Sequence, residues 1–187
     1  MPGLEVFRPA DAVETAEAWA CALENDGPTV LALSRQNLSP VRTESVDGNL
    51  SARGAYRLRA AQAARKVILL ATGSEVEIAL ATAQQLEGQG IGTDVVSMPS
   101  TTRFDAQDAA YREDILPDVS NREILRVSIE AGSTIGWERY TGLHGLRIGI
   151  DGFGASAPAT DLYRHFGLTA DAIAAQVLDR LKKRDKQ

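Results

Sequence analysis

The sequence predicts an α/β fold: a mostly parallel sheet flanked by helices, preceded by a β-α-β stub of a second α/β domain. Three observations predict it. Short apolar runs at 67–71, 93–97, 124–129 and 146–150 alternate with segments whose apolar residues recur at helical spacing, the pattern of a sheet buried on both faces. A separate strand-helix-strand pattern over residues 4–34 stands upstream of them. Between the two, residues 38–54 are rich in Ser, Asp, Gly and Pro and show no sustained periodicity, so a boundary belongs there.

In the upstream unit, Leu4 to Phe7 is a short strand. Pro9 and Asp11 then start a helix in which Val13, Ala16, Ala20 and Leu23 fall on one face, and Asn25-Asp26-Gly27-Pro28 stops it. Thr29 to Leu33 is short, partly β-branched and bounded by turn residues, and reads as a buried strand delivering Ser34-Arg35-Gln36-Asn37 at its tip. Two strands and one helix cannot cover both faces of a parallel sheet. Residues 1–42 therefore read as the end of a domain, 43–65 as a linker with an edge strand at Ala55 to Arg59, and 66–187 as a second domain.

Val67 to Ala71 opens that second domain, and Gly73-Ser74 turns the chain into a helix with Val76, Ala79, Leu80, Ala83 and Leu86 inward. A strand, a glycine turn and a helix invite a phosphate cradle. Ser74 and Glu77, however, have capping-box spacing, and Glu75 and Glu77 put negative charge where an anion would sit. Thr93 to Ser97 is the next strand, and Pro99-Ser100 closes it before a helical stretch through Asp105 to Leu116. Ile124 to Ile129 is the third strand, with Glu130 at its tip. No second titratable group with a matching role follows Glu130, so a capping or interdomain ion-pair role is expected for it. Gly136 to Tyr140 reads as a short helix burying Trp137 and Tyr140, and Leu146 to Ile150 as the fourth strand. Thr169 caps a last helix whose Ile173, Val177, Leu178 and Leu181 cover the sheet.

The 187 residues are 44% hydrophobic and 24% charged, an ordinary globular composition, and the formal net charge of -5 argues against a nucleic-acid or anionic-membrane surface. No apolar stretch approaches a membrane span. A single cysteine, Cys21, forms no intrachain disulfide and reads as an inert packing or surface thiol. With no secretory signal pattern at the start, a cytoplasmic compartment is expected. His144 and His165 lie in no metal or triad spacing; the first reads as a turn residue and the second as a helix-terminal dipole partner. Arg35 is the one candidate for binding, since ligands of open α/β sheets sit beyond the carboxyl ends of strands and a guanidinium grips a phosphate or carboxylate with paired hydrogen bonds. A surface salt bridge is the alternative for it.

Six strings, spaced along nearly the whole chain, carry a resemblance: Phe7-Arg-Pro-Ala-Asp-Ala12, Leu33-Ser-Arg-Gln-Asn-Leu38, Ala71-Thr-Gly-Ser-Glu-Val-Glu77, Val96-Ser-Met-Pro-Ser-Thr101, Gln107-Asp-Ala-Ala-Tyr-Arg112 and Phe153-Gly-Ala-Ser-Ala-Pro158. Glu130-Ala-Gly132 and Gly136-Trp137 add to them. Together they resemble the C-terminal part of a transketolase: the end of its pyrimidine-binding domain plus its C-terminal domain. The resemblance implies a parent enzyme that moves two-carbon ketol units between phosphorylated sugars, uses thiamine diphosphate and a divalent metal, and works as a homodimer with upstream domains. It implies that Arg35 binds the terminal phosphate of the substrate. The Gly-Asp-Gly and Asn that hold the metal, the glutamate that activates the cofactor and the substrate histidines have no counterpart here. This chain alone is therefore expected to contribute no catalytic, cofactor-binding or metal-binding residue and to be inactive. Two other readings stand beside it: a non-catalytic binding or assembly subunit of a split enzyme, and a fragment of dihydroxyacetone synthase. Ser34-Arg35-Gln36-Asn37 favours transketolase over deoxyxylulose phosphate synthase, and more weakly over dihydroxyacetone synthase.

Overall fold

The computed structural model describes residues 3–44, 46–118 and 123–184. Along these the elements run β1 (Glu5–Phe7), α1 (Ala12–Glu24), β2 (Thr29–Leu31), β3 (Tyr56–Arg59), β4 (Arg65–Ala71), α2 (Glu75–Glu87), β5 (Gly92–Ser97), α3 (Thr101–Asp105), α4 (Ala109–Ile115), β6 (Leu125–Ile129), α5 (Glu138–Thr141), β7 (Leu146–Ile148), α6 (Ala159–His165) and α7 (Ala170–Arg184). β1 and β2 pair in parallel as a sheet of their own, and the other strands form a mixed sheet in the order β3-β5-β4-β6-β7. Only β3 runs antiparallel, against β5. The edge strand expected at Ala55 to Arg59 is thus an integral member of the larger sheet.

β4 lies in the middle and explains the apolar runs, because every residue from Val67 to Ala71 is buried. Its alternate side chains go to opposite faces. Val67, Leu69 and Ala71 join Val76, Ala79, Ala83 and Leu86 of α2 and Ile173, Ala174 and Val177 of α7. Ile68 and Leu70 face the other way, onto Phe104, Ile115, Trp137 and Tyr140. Helices therefore cover both faces, which is what a buried parallel sheet requires. The expected burial of Trp137 and Tyr140 and the inward faces of α2 and α7 are as read from the sequence.

The upstream unit departs from expectation in two ways. β2 spans Thr29–Leu31 instead of Thr29 to Leu33, and it is not buried: Val30 and Leu33 are exposed. Each strand of the small sheet pairs only with the other, and among the described residues nothing buries these outward side chains. The apolar stripe of α1 also faces outward, with Val13 42%, Trp19 53% and Leu23 81% exposed, while Glu14, Ala18 and Cys21 are buried. Periodicity locates an apolar stripe; what is present to cover it decides which face is buried. Three further corrections are local. The stretch from Asp105 to Leu116 is two helices, because Asp108 takes an extended backbone and caps Tyr111 N at 2.8 Å. The fourth strand stops at Ile148, beyond which Ile150 N turns to Gly132 O. The capping box of α2 does not form: Ser74 is already helical and its hydroxyl goes to Glu75 Oε1 at 2.7 Å, while Glu77 accepts from Ser39 Oγ.

Candidate functional site

The larger sheet changes direction between β4 and β6: the chain leaves β4 toward β5 on one side and returns to β6 on the other. Crevices at such switch points are where open α/β sheets hold ligands. Here the occupant is Arg8, delivered by the turn after β1. Its backbone is fixed by Arg8 N to Pro99 O at 2.8 Å and Gly73 N to Arg8 O at 3.0 Å. Its guanidinium pairs with Glu130 Oε1 and lies 3.6 Å from Glu75 Oε2. Glu130 also accepts from the Trp137 indole N–H at 2.5 Å, so the strand-tip acid is an ion-pair partner across the two units, as expected. Glu75 has no exposed side-chain surface and accepts from Ser74 Oγ and, at 2.9 Å, from Tyr163 OH.

Beside this plug a cleft of about 430 Å³ opens between Ser34, Arg35 and Gln36 on one wall and Glu75, Tyr163 and Phe166 on the other. Arg35 is not at the strand tip, as the sequence suggested, but in the exposed turn after it, because the last rung of the small sheet is Ala32 N to Phe7 O at 2.8 Å. Among the described residues no hydrogen bond or ion pair engages its guanidinium. Gln36, next to it, donates through Nε2 to Tyr163 OH at 3.1 Å. Burial, and then the charge of Glu75, push the Tyr163 phenol up to about 12, so it keeps its proton at neutral pH.

A second polar junction holds the upstream unit down. Glu14, fully buried, accepts from Ala10 N at 2.7 Å, Tyr56 OH at 2.7 Å and Ser97 Oγ at 2.5 Å. Burial outweighs these hydrogen bonds and raises its pKa. Asp11 caps α1 through Glu14 N at 2.8 Å and accepts from Val41 N and Arg42 N. Glu17 shows the opposite balance to Glu14: burial raises its pKa, but the Ser51 hydroxyl and N–H and the Arg42 guanidinium carry it below the ordinary value.

The remaining candidates fall outside any site. Cys21 is buried, contacts Asn49 Nδ2 at 3.4 Å and has its pKa raised by burial, as suits a packing thiol. His144 lies in an exposed turn and His165 at the exposed end of α6. Among the described residues no group of His, Cys, Asp and Glu could hold a metal ion, and no helix is long and apolar enough to cross a membrane. Sequence reasoning singled out neither Arg8, Glu14 nor Tyr163 as site residues. Arg8 was within reach as an arginine after a strand, the same signal that marked Arg35.

Comparison with known proteins gives this geometry a family. Residues 54–169 match the transketolase-like C-terminal domain, and residues 1–40 match the transketolase pyrimidine-binding domain. A transketolase from Sinorhizobium medicae is 52% identical over 184 residues, 97% of this chain and 26% of the relative. The structure of a Pichia stipitis transketolase in complex with sedoheptulose-7-phosphate superposes with a TM-score of 0.87 at 35% identity, over 100% of this chain and 26% of that one. A structure described as a split gene transketolase, inactive beta4 tetramer, matches 97% of this chain and 59% of its own at 26% identity and a TM-score of 0.78. The chain spans about a quarter of the curated relatives' length, and from its two matched domains and the order in which they follow it belongs to the transketolase family, as the C-terminal portion of such an enzyme.

Proposed function

We propose that this chain supplies a transketolase with its C-terminal domain and, from the end of the pyrimidine-binding domain, the arginine that holds the substrate's terminal phosphate. In this reading residues 1–42 belong to the pyrimidine-binding domain, 43–65 are the connection and carry β3, the edge strand of the larger sheet, and 66–187 are the rest of the C-terminal domain. The parent is a cytoplasmic homodimer that transfers two-carbon ketol units between phosphorylated sugars. One observation carries the assignment: Arg35 presents an exposed guanidinium with no partner among the described residues at the mouth of a cleft, whereas the neighbouring Arg8 is consumed by two carboxylates. The sedoheptulose-7-phosphate bound by the Pichia relative supports the substrate class.

Thiamine diphosphate supplies the carbanion-stabilising chemistry of such a reaction, but the residues here do not fit it or its metal. Metal-ligating groups do not converge among the described residues. The glycine turn at Gly73 that leads into α2 faces Arg8, and α2 carries Glu75 and Glu77 in its first turn, which is unfavourable for a diphosphate. We therefore assign both groups to upstream domains and treat this chain alone as inactive. The split-gene neighbour favours a second reading, in which those domains come as a separate polypeptide. Gel filtration of this chain with and without a candidate upstream chain separates the two.

The test of Arg35 is its replacement in the complete enzyme. A contact to the far end of the sugar is similar in ground and transition states, so Arg35→Ala should raise KM strongly and lower kcat less. Losing a charge-assisted contact costs about 1.5–3 kcal/mol, or about 10- to 150-fold in kcat/KM. Lys should restore only part. Hydroxypyruvate with glycolaldehyde, both unphosphorylated, is the control; an equal loss for phosphorylated and unphosphorylated pairs overturns the assignment.

A further inference from the structure

We infer that Tyr163 is a positioning residue for Arg35: through Gln36 it ties the turn that carries the arginine to the buried carboxylate of Glu75, so the C-terminal domain sets phosphate affinity without touching the phosphate. The inference rests on the reading of Arg35 given above. Its warrant is a proton inventory. A phenol has one proton to give, and Glu75, when ionised, can only accept. The Tyr163 proton therefore points to Glu75 Oε1 at 2.9 Å, which turns the oxygen lone pairs toward Gln36 Nε2 at 3.1 Å. Glu75 cannot swing away, being fully buried, bonded by Ser74 Oγ at 2.7 Å and close to Arg8. The phenol does not ionise near neutral pH, so the relay keeps one direction.

The turn needs such a tie. Beyond Ala32 the small sheet gives it no further rung, and Arg35, Gln36 and Asn37 are all exposed. Among the described residues, the side-chain bonds joining this segment to the larger unit are Gln36 to Tyr163 and, three residues on, Ser39 Oγ to Glu77 Oε1 at 2.9 Å. Gln36 adjoins the arginine in sequence. A loose turn would oblige each binding event to order both the arginine and its backbone, and that entropy subtracts from affinity.

Tyr163→Phe keeps the ring and removes the hydrogen bonds to Glu75 and Gln36; Gln36→Ala removes one from the other end and lies on an exposed turn where folding is not at risk. In the complete enzyme each should raise KM for phosphorylated substrates about two- to tenfold relative to KM for hydroxypyruvate and glycolaldehyde, with kcat little changed. The double variant should be no worse than the single ones, and in an Arg35→Ala background neither should have a further effect. In the 187-residue chain, hydrogen exchange in the segment 33–38 should quicken in both variants while β4 and β6 keep their protection. An unchanged KM ratio in Tyr163→Phe and Gln36→Ala, while Arg35→Ala still impairs phosphorylated substrates more than unphosphorylated ones, refutes the positioning role alone. An equal loss for phosphorylated and unphosphorylated pairs in Arg35→Ala itself refutes the underlying reading and the inference with it.

Discussion

Replacing Glu14 by Gln removes the ionisable group from the centre of the junction between the two sheets and keeps its shape, with one acceptor oxygen exchanged for an amide donor that the Tyr56 and Ser97 hydroxyls can rotate to accept. The side chain has no exposed surface, and burial, partly offset by Ser97, Tyr56 and the Ala10 N–H and aided by the charge of Asp11, raises its pKa above the ordinary 4.5. A folded pKa above the unfolded one means that the fold prefers the protonated carboxyl. The stabilisation is complete below the unfolded value and is lost as pH rises through the folded value, at about 1.4 kcal/mol for each unit of separation. Glutamine cannot ionise. In urea unfolding of the chain between pH 4.5 and pH 8, Glu14→Gln should therefore gain on the native sequence as pH rises. Glu14→Ala is harsher, because it leaves two hydroxyls and one N–H without an acceptor at about 1–3 kcal/mol each before water enters. Against a total of about 5–15 kcal/mol for a domain, that variant should be close to unfolded at room temperature. A pH-independent difference between Glu14→Gln and the native sequence, or one that moves against Gln as pH rises, would show that Glu14 is ionised and that its three donors outweigh its burial.

Three other substitutions read different parts of the molecule. Arg8→Met strips the cation from the fully buried Glu75 and from Glu130 and should cost about 3–5 kcal/mol in calorimetric unfolding, with Lys restoring part. Gly54→Ala should cost more than about 4 kcal/mol or prevent folding, since Gly54 has φ +80° and a Cβ there would lie 2.1 Å from Phe104 N and 2.4 Å from Ser100 O, both backbone atoms; expression yield and Tm report it. Arg35→Ala should leave the Tm of the chain almost unchanged, within about 0.5 kcal/mol, because no partner among the described residues depends on it.

What could be read along the chain was whatever repeats locally. The runs at Val67 and Leu125 announce buried strands because both of their faces are covered, and the stripes on α2 and α7 point inward because a sheet is there to receive them. The stripe on α1 is equally regular and points outward, since nothing described covers it. Glu14 was illegible for a different reason: its partners Tyr56 and Ser97 lie 42 and 83 residues away, and an acid in an amphipathic helix reads as solvated. Arg8 and Arg35 carry the same signal, an arginine shortly after a short strand. What separates them is the opposing crevice, which only Arg8 enters, and no spacing rule reports on that. The capping box failed because Ser74 adopts helical backbone one residue early, which sends its hydroxyl to Glu75.

The outward stripe of α1 gives the isolated chain an asymmetric response to salt. The inner side of the upstream unit is tied through Glu14 to the hydroxyls of Tyr56 and Ser97, through Arg8 to Glu130, and through Glu5 of β1 to Arg103 of α3, contacts that mobile ions screen where water reaches them. Its outer side offers Val13, Trp19 and Leu23 to solvent, and excluded salts such as sulfate strengthen the association of surfaces of that kind. Sodium chloride should therefore loosen the seam while ammonium sulfate glues one molecule to the next, so the additive chosen for purification decides whether this protein is handled as a breathing monomer or as an aggregate assembled through one end.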